Sequence, residues 1–250
     1  MGERLSEPQS LLDLLARHDG LIILGDPGAG KTTFLKYLTV RLAAGEGPAL
    51  GLGNRLPILV PLSAYANALA SGDVALQEFL GAYYRNLGVR LPVEALLEAA
   101  LESGQALLML DGLDEVQALD RRTTVVDRVE QFFAFHRQAG NKFLLTSRIV
   151  GYREVRHTAA GLAECTLIDF DDGDIADFVD KWTQALERAI KGETEAAQAE
   201  AAAEKGELLF AVQRNPGVRQ LASNPLLLTI LALMKRQGVA LPERRVQLYD

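Results

Sequence analysis

Cysteine is almost absent from the sequence. Cys165 stands alone, so no internal disulfide can form, which suits a reducing compartment. It reads as a small buried hydrophobe in a strand. Histidine is scarce too: His18, His136 and His157 have no ligand-like spacing and no cysteine partners, so no zinc site is expected. Long apolar runs are missing. Residues 21–24 and 106–110 are too short to span a bilayer, and no basic start followed by an apolar run marks a signal peptide. The expected location is the cytoplasm, with no membrane partner. Positive charge is not in excess either. Lys plus Arg number 26 against 33 Asp plus Glu, a net −7, and no basic, aromatic-rich segment stands out. That balance makes nucleic acid an unlikely partner.

What remains is globular composition, 48% hydrophobic and 24% charged over 250 residues, enough for an α/β domain with a smaller module. Short apolar runs alternate with amphipathic ones, the signature of βαβ units and a parallel sheet. Ser10 is placed to cap a first helix. Residues 21–24 form a continuous apolar run, as a strand buried on both faces does. A glycine loop and a helix over 31–44 follow, ended by Gly45 and Gly47. Residues 57–62 predict a second strand, with prolines at positions an edge tolerates. Helical patterns cover 76–87 and 93–103, and a third strand spans 106–111. Asp120 opens a long helix to about residue 138, stopped by Gly140. Strands are expected at 142–146 and 164–168. From residue 171 only helices are expected: one capped by Asp172 or Asp174, an Ala- and Glu-rich stretch over 192–206 that favours helix, and two opened by Pro216 and Pro225. The division is a nucleotide-binding α/β domain over 1–169 and a helical domain over 170–250.

Three strand ends carry chemistry. Gly25-Asp26-Pro27-Gly28-Ala29-Gly30-Lys31-Thr32 fits the phosphate-binding pattern G-x-x-x-x-G-K-[ST], with Thr33 following. The glycines let successive N–H groups turn toward phosphate oxygens, and the helix start adds its positive end. Lys31 supplies a charge to the β- and γ-phosphates, and Thr32 a hydroxyl for Mg²⁺. The apolar strand 106–111 ends in Asp111, placed to hold Mg²⁺ through water. Asp114 and Glu115 follow, and a cluster of three carboxylates calls for a nearby cation. Either Asp114 or Glu115 can orient the attacking water. Arg148 ends the next strand, where it can sense a γ-phosphate.

Taken together, GDPGAGKTT (25–33), LLMLDGLDE (107–115) and LLTSR (144–148) resemble the Walker A, Walker B and sensor 1 motifs of NACHT-domain NTPases. Residues 224–228 (NPLLL) and 241–250 (LPERRVQLYD) resemble that family's helical domain. The resemblance implies a three-layer α/β/α P-loop fold with a five-stranded parallel sheet of order 5-1-4-3-2, followed by a small all-α domain. It implies a signal-transducing switch of the STAND class, related to AAA+ ATPases, that rests on ADP, exchanges to ATP and self-associates when activated. Slow Mg²⁺-dependent hydrolysis and a role in immune, antiphage or stress signalling follow from the same resemblance. Arg148 corresponds to sensor 1, Asp111 to the Mg²⁺ aspartate, and Pro225 to the helical-domain proline that contacts adenine. The family's winged-helix, sensor and effector domains are expected outside these 250 residues, and these residues alone are expected to be monomeric. Arg121 and Arg122 are candidates for an arginine acting on a neighbouring subunit. Two alternatives stay open: an AAA+-like ATPase acting on nucleic acid or protein assemblies, and a GTP-preferring switch. The segment Asn141-Lys142-Phe143-Leu144 lacks the aspartate of the guanine-reading N-K-x-D, which favours adenine.

Overall fold

An apolar run with no polar face has to be covered on both sides, and the run beginning at Gly20 is. The computed structural model describes residues 7–155 and 162–244. His157 and residues 245–250 of the family-like tail lie outside them. In chain order the elements are α1 (Leu11–Arg17), β1 (Gly20–Leu24), α2 (Lys31–Ala43), β2 (Leu56–Pro61), α3 (Leu62–Ser71), α4 (Leu76–Asn86), α5 (Val93–Glu102), β3 (Ala106–Asp111), α6 (Leu119–His136), β4 (Lys142–Ser147), α7 (Ile149–Arg153), β5 (Leu162–Thr166), α8 (Asp172–Lys191), α9 (Glu195–Arg214), α10 (Pro216–Ala222) and α11 (Pro225–Arg236).

The five strands pair in parallel in the order β2-β3-β4-β1-β5, which is the expected 5-1-4-3-2. Alternate residues serve opposite faces, as the strand period requires. Leu21, Ile23, Leu107, Met109 and Leu144 pack with Leu15 of α1 and Leu35, Leu38 and Leu42 of α2. Their neighbours Ile22, Leu24, Leu108, Leu110, Phe143 and Leu145 pack on the other side with Tyr65, Leu80, Leu101 and Phe133. Each such side chain, fully buried, contributes about 1.5–3 kcal/mol. The result is the expected three-layer α/β/α fold. β2 is an edge strand, so the missing N–H groups of Pro57 and Pro61 interrupt no inner ladder. Ser10 caps α1 through a bond from the Leu12 N–H, 3.2 Å.

Several boundaries differ from the sequence reading, each for a local reason. Leu62 does not extend the second strand but opens α3, because Leu62, Tyr65 and Ala66 bury together at helical spacing. α6 starts at Leu119, with Ala118 in the cap position; Asp120 lies in the first turn, where its charge meets the positive helix end. β5 lies two residues earlier than expected, in a register that pairs Gly20 with Leu162 and Leu24 with Thr166. α8 is capped by Asp171, not by Asp172 or Asp174. Asp171 accepts from the Asp174 N–H at 2.8 Å and Asp174 accepts from the Asp171 N–H at 3.2 Å. The Ala- and Glu-rich stretch is helical within α9, which runs on to Arg214.

Contacts divide the chain into two units, with the break between Leu167 and Ile168 and with Gly28–Gly30 grouped with the second. The second unit has its own core, in which Ile175 and Val179 of α8 meet Leu208 and Val212 of α9 and Leu228 and Leu231 of α11.

Candidate functional site

The register that aligns the parallel strands brings their carboxyl ends level: Pro61 lies beside Asp111, and Leu24 beside Ser147. The side chains just past those ends therefore gather at one edge of the sheet. The loop after β1 is anchored there by the Gly25 N–H, which donates to the Ser147 carbonyl at 3.3 Å. Gly28 and Gly30 have φ of +83° and +93°, which a side chain would oppose, and α2 starts directly at Lys31. The Lys31 ammonium donates to the Gly25 carbonyl at 2.7 Å and the Asp26 carbonyl at 3.1 Å. Burial holds its pKa below the ordinary lysine value; Asp114 pulls it back up, Arg148 pushes it down, and Asp111 and Asp26 pull it up.

Asp111 is held from two sides. The Thr32 hydroxyl donates to Oδ2 at 2.8 Å, and the hydroxyl of Thr146, fully buried in β4, donates to Oδ1. Thr146 in turn accepts from the Gly112 N–H at 2.9 Å. The Thr32 hydroxyl and the Asp111 carboxylate form a hard-oxygen pair of the kind that suits Mg²⁺ completed by phosphate and water. Among the described residues, no group of three or more His, Cys, Asp or Glu could hold a metal by itself. Asp114 is engaged elsewhere. Its Oδ1 accepts from the Arg148 N–H at 2.9 Å, and its Oδ2 pairs with Arg148 Nε at 2.9 Å. A cleft of about 450 Å³ opens beside this pair, lined by Asp26, Pro27, Ile149 and Glu154 among others.

A phosphate loop, an aspartate bonded to the loop threonine, and an arginine on the next strand end are thus assembled at one sheet edge. The family model described as NACHT domain matches residues 19–185. The chain belongs to the NACHT family. It is accordingly a nucleotide-binding, P-loop NTPase domain. No curated protein matches it. A solved structure, that of C. elegans PCH-2, is similar over 91% of this chain and 67% of that one, at 12% identity and a TM-score of 0.39.

The three carboxylates at and after the end of β3 in this NACHT domain have separate surroundings, with cations beside Asp111 and Asp114. Asp111 faces two threonines, Asp114 faces Arg148, and exposed Glu115 lies back against Gly112, where an added Cβ would come within 2.8 Å of its carboxyl carbon. The cation beside Asp114 is the guanidinium of Arg148. Glu115 and Arg121 line a different cleft, of about 460 Å³, with Ser63 and Asn67 of α3. Arg122 is corrected as a candidate for reaching a neighbouring subunit. It is buried, and its guanidinium is engaged inside the α/β unit. Thr33 is exposed on the first turn of α2. Pro225 opens α11 in the helical unit, after an Asn224 cap. Cys165 is half-buried in β5, with its thiol toward the Ile22 carbonyl at 3.6 Å, and burial pushes its pKa to about 11.

Thr146 received no individual role from the sequence, and Arg122 only that of reaching outward, although signals for their buried roles existed for both. A hydroxyl at the end of an apolar strand needs a partner once buried. Arg122 stands three, four and seven residues before Val125, Val126 and Val129, so the helical period places it on their buried face.

Proposed function

We propose that this NACHT domain is an ATP/ADP switch with slow, Mg²⁺-dependent ATP hydrolysis. What carries the reading is the bond between Thr32 and Asp111, which joins the phosphate loop to the acidic strand end where a nucleotide's metal would be held. Gly25, Asp26, Pro27, Gly28, Ala29, Gly30, Lys31, Thr32 and Thr33 would cradle the phosphates. Thr32 and Asp111 would hold Mg²⁺, whose charge would offset that of the phosphates. Pro225 would contact the base. Arg148 would read the γ-phosphate, and Asp114 or Glu115 would orient water. Slow turnover is supported by the engagement of Asp114: freeing its carboxylate means giving up two bonds from Arg148. Self-association of a longer protein and a part in immune or antiphage signalling rest on the family resemblance alone.

The test is to denature freshly purified protein and identify the nucleotide released, beside Lys31→Ala, then to follow phosphate release with Mg²⁺ and ATP. Bound ADP in the unmodified protein and slow phosphate release absent from the variant support the switch. Bound GDP would overturn the adenine assignment, and phosphate release no greater than in the variant would overturn hydrolysis.

A further inference from the structure

The segment after β3 carries Asp114, and the segment after β4 carries Arg148. Neither belongs to a long helix, and their relative placement decides whether both can face one phosphate. One side chain from a third element, α6, joins them. Arg122 donates through Nε and Nη2 to the Val116 carbonyl at 3.0 and 2.8 Å, just past Glu115. Its Nη1 donates to the Gly151 carbonyl of α7 at 3.3 Å and pairs with Glu154. The side chain is only 9% exposed. The two segments also approach so closely that a Cβ on Gly151 would lie 2.6 Å from the Asp114 Cβ. A planar guanidinium spreads its N–H groups over three nitrogens and reaches two carbonyls and a carboxylate on different sides; an ammonium has its three N–H groups on one nitrogen and must gather its acceptors around that single point.

We infer that Arg122 is a positioning residue: it fixes the segments bearing Asp114 and Arg148 at the separation at which both address the terminal phosphate of a nucleoside triphosphate. The inference rests on the reading of Asp114 and Arg148 proposed above. Loss of the clamp leaves the phosphate loop and the Thr32–Asp111 pair untouched, so binding of the diphosphate persists while recognition of the third phosphate fails.

The experiment compares affinities for ADP and for a non-hydrolysable ATP analogue in the unmodified protein, Arg122→Met, Arg122→Lys and Glu154→Gln. It adds the ¹⁵N-resolved Nε–H exchange rate of Arg148. Arg122→Met is expected to weaken the triphosphate analogue by about tenfold, the scale of one charge-assisted bond, and ADP by less than about twofold. Lysine keeps the charge and loses the fork, so Arg122→Lys is expected to recover only part of the effect. Glu154→Gln, which keeps Arg122, should show a smaller loss of the same kind and stands in if Arg122→Met fails to fold. Equal weakening of both nucleotides, full recovery by lysine, or no change in either affinity overturns the clamp. Should the unmodified protein bind nucleotide no better than Lys31→Ala, the nucleotide reading itself fails. Arg148 exchange then decides the clamp: faster exchange in Arg122→Met or Glu154→Gln sustains it, and an unchanged rate overturns it.

Discussion

The two ends of the same parallel sheet use polar side chains differently. At the amino end, side chains bond to main-chain carbonyls and amides. Arg55 Nη1 donates to the carbonyls of Gly104, Ala106 and Gly140 at 2.8, 3.3 and 2.9 Å. Asn141, fully buried, accepts from the Ala106 N–H at 3.0 Å and donates to the Leu101 and His136 carbonyls at 2.7 and 2.9 Å. Lys142 donates to the Ala16 and His18 carbonyls. At the carboxyl end Lys31 and Arg122 also bond to main-chain carbonyls, but there side chains bond to one another as well: Thr32 and Thr146 to Asp111, and Arg148 to Asp114. Main-chain partners stay fixed as long as the fold lasts. A side chain that rests on another side chain can exchange that partner for a phosphate or a metal-bound water at small structural cost. The amino end is therefore read as stability and the carboxyl end as function, the division general to open α/β sheets.

Lys31→Ala should split the two ends most sharply. Removing one charge from a phosphate site costs about 2–5 kcal/mol, so ADP affinity should fall by roughly thirtyfold or more. The melting temperature of the nucleotide-free protein should barely move, because Lys31 bonds only to its own loop. Titration calorimetry and thermal melts on the same sample check both halves, and a melting point lowered as much as affinity would break the comparison.

Next in size is Asn141→Leu at the opposite end. Three main-chain groups would lose their partner in a dry site, a destabilisation of about 3 kcal/mol, or about 6–12 °C in melting temperature at this size. Nucleotide affinity measured on the folded fraction should stay within about twofold of the unmodified protein. A nucleotide defect there would mean that the two ends are coupled through the strands.

The sheet was legible because its strands announce themselves. Each central run is apolar over three to five residues and stops at a glycine or a polar pair, so β1 and β3 lay within about a residue of their expected spans, and the strand order was the one the family resemblance implied. Chemistry at the strand ends was legible for the same reason: a polar residue closing a run buried on both faces has few other uses. Contacts between segments were not legible. That Asp114 meets Arg148 while Glu115 lies back against Gly112 depends on two loops and α7, a helix too short to leave a periodic pattern. α3 was missed because Leu62 reads on from the strand, and only its packing with Tyr65 and Ala66 separates the two. Asn141 shows the limit from the other side. It drew notice for lacking a guanine-reading aspartate, whereas its work is to bond the main chain from Leu101 to His136.

Alkaline pH sharpens the comparison with a smaller effect, since each end carries a lysine whose pKa burial lowers from 10.5. A bound phosphate favours protonated Lys31, so binding takes up a proton and affinity falls as pH rises through the lowered pKa. For Lys142 the linkage acts on folding and has the opposite sign: the unfolded chain binds the proton more readily, so this residue's contribution to stability rises with pH. Cys165 opposes it. The thiol is favoured neutral in the fold, and its contribution is present below about pH 9 and lost as pH climbs toward about 11. As pH rises toward that lowered pKa, then, ADP should bind progressively more weakly, with no loss of melting temperature from these groups below about pH 9, and Lys31→Arg, whose charge does not titrate there, should show no such slope. A slope that survives in Lys31→Arg would place the titrating group somewhere other than the phosphate loop.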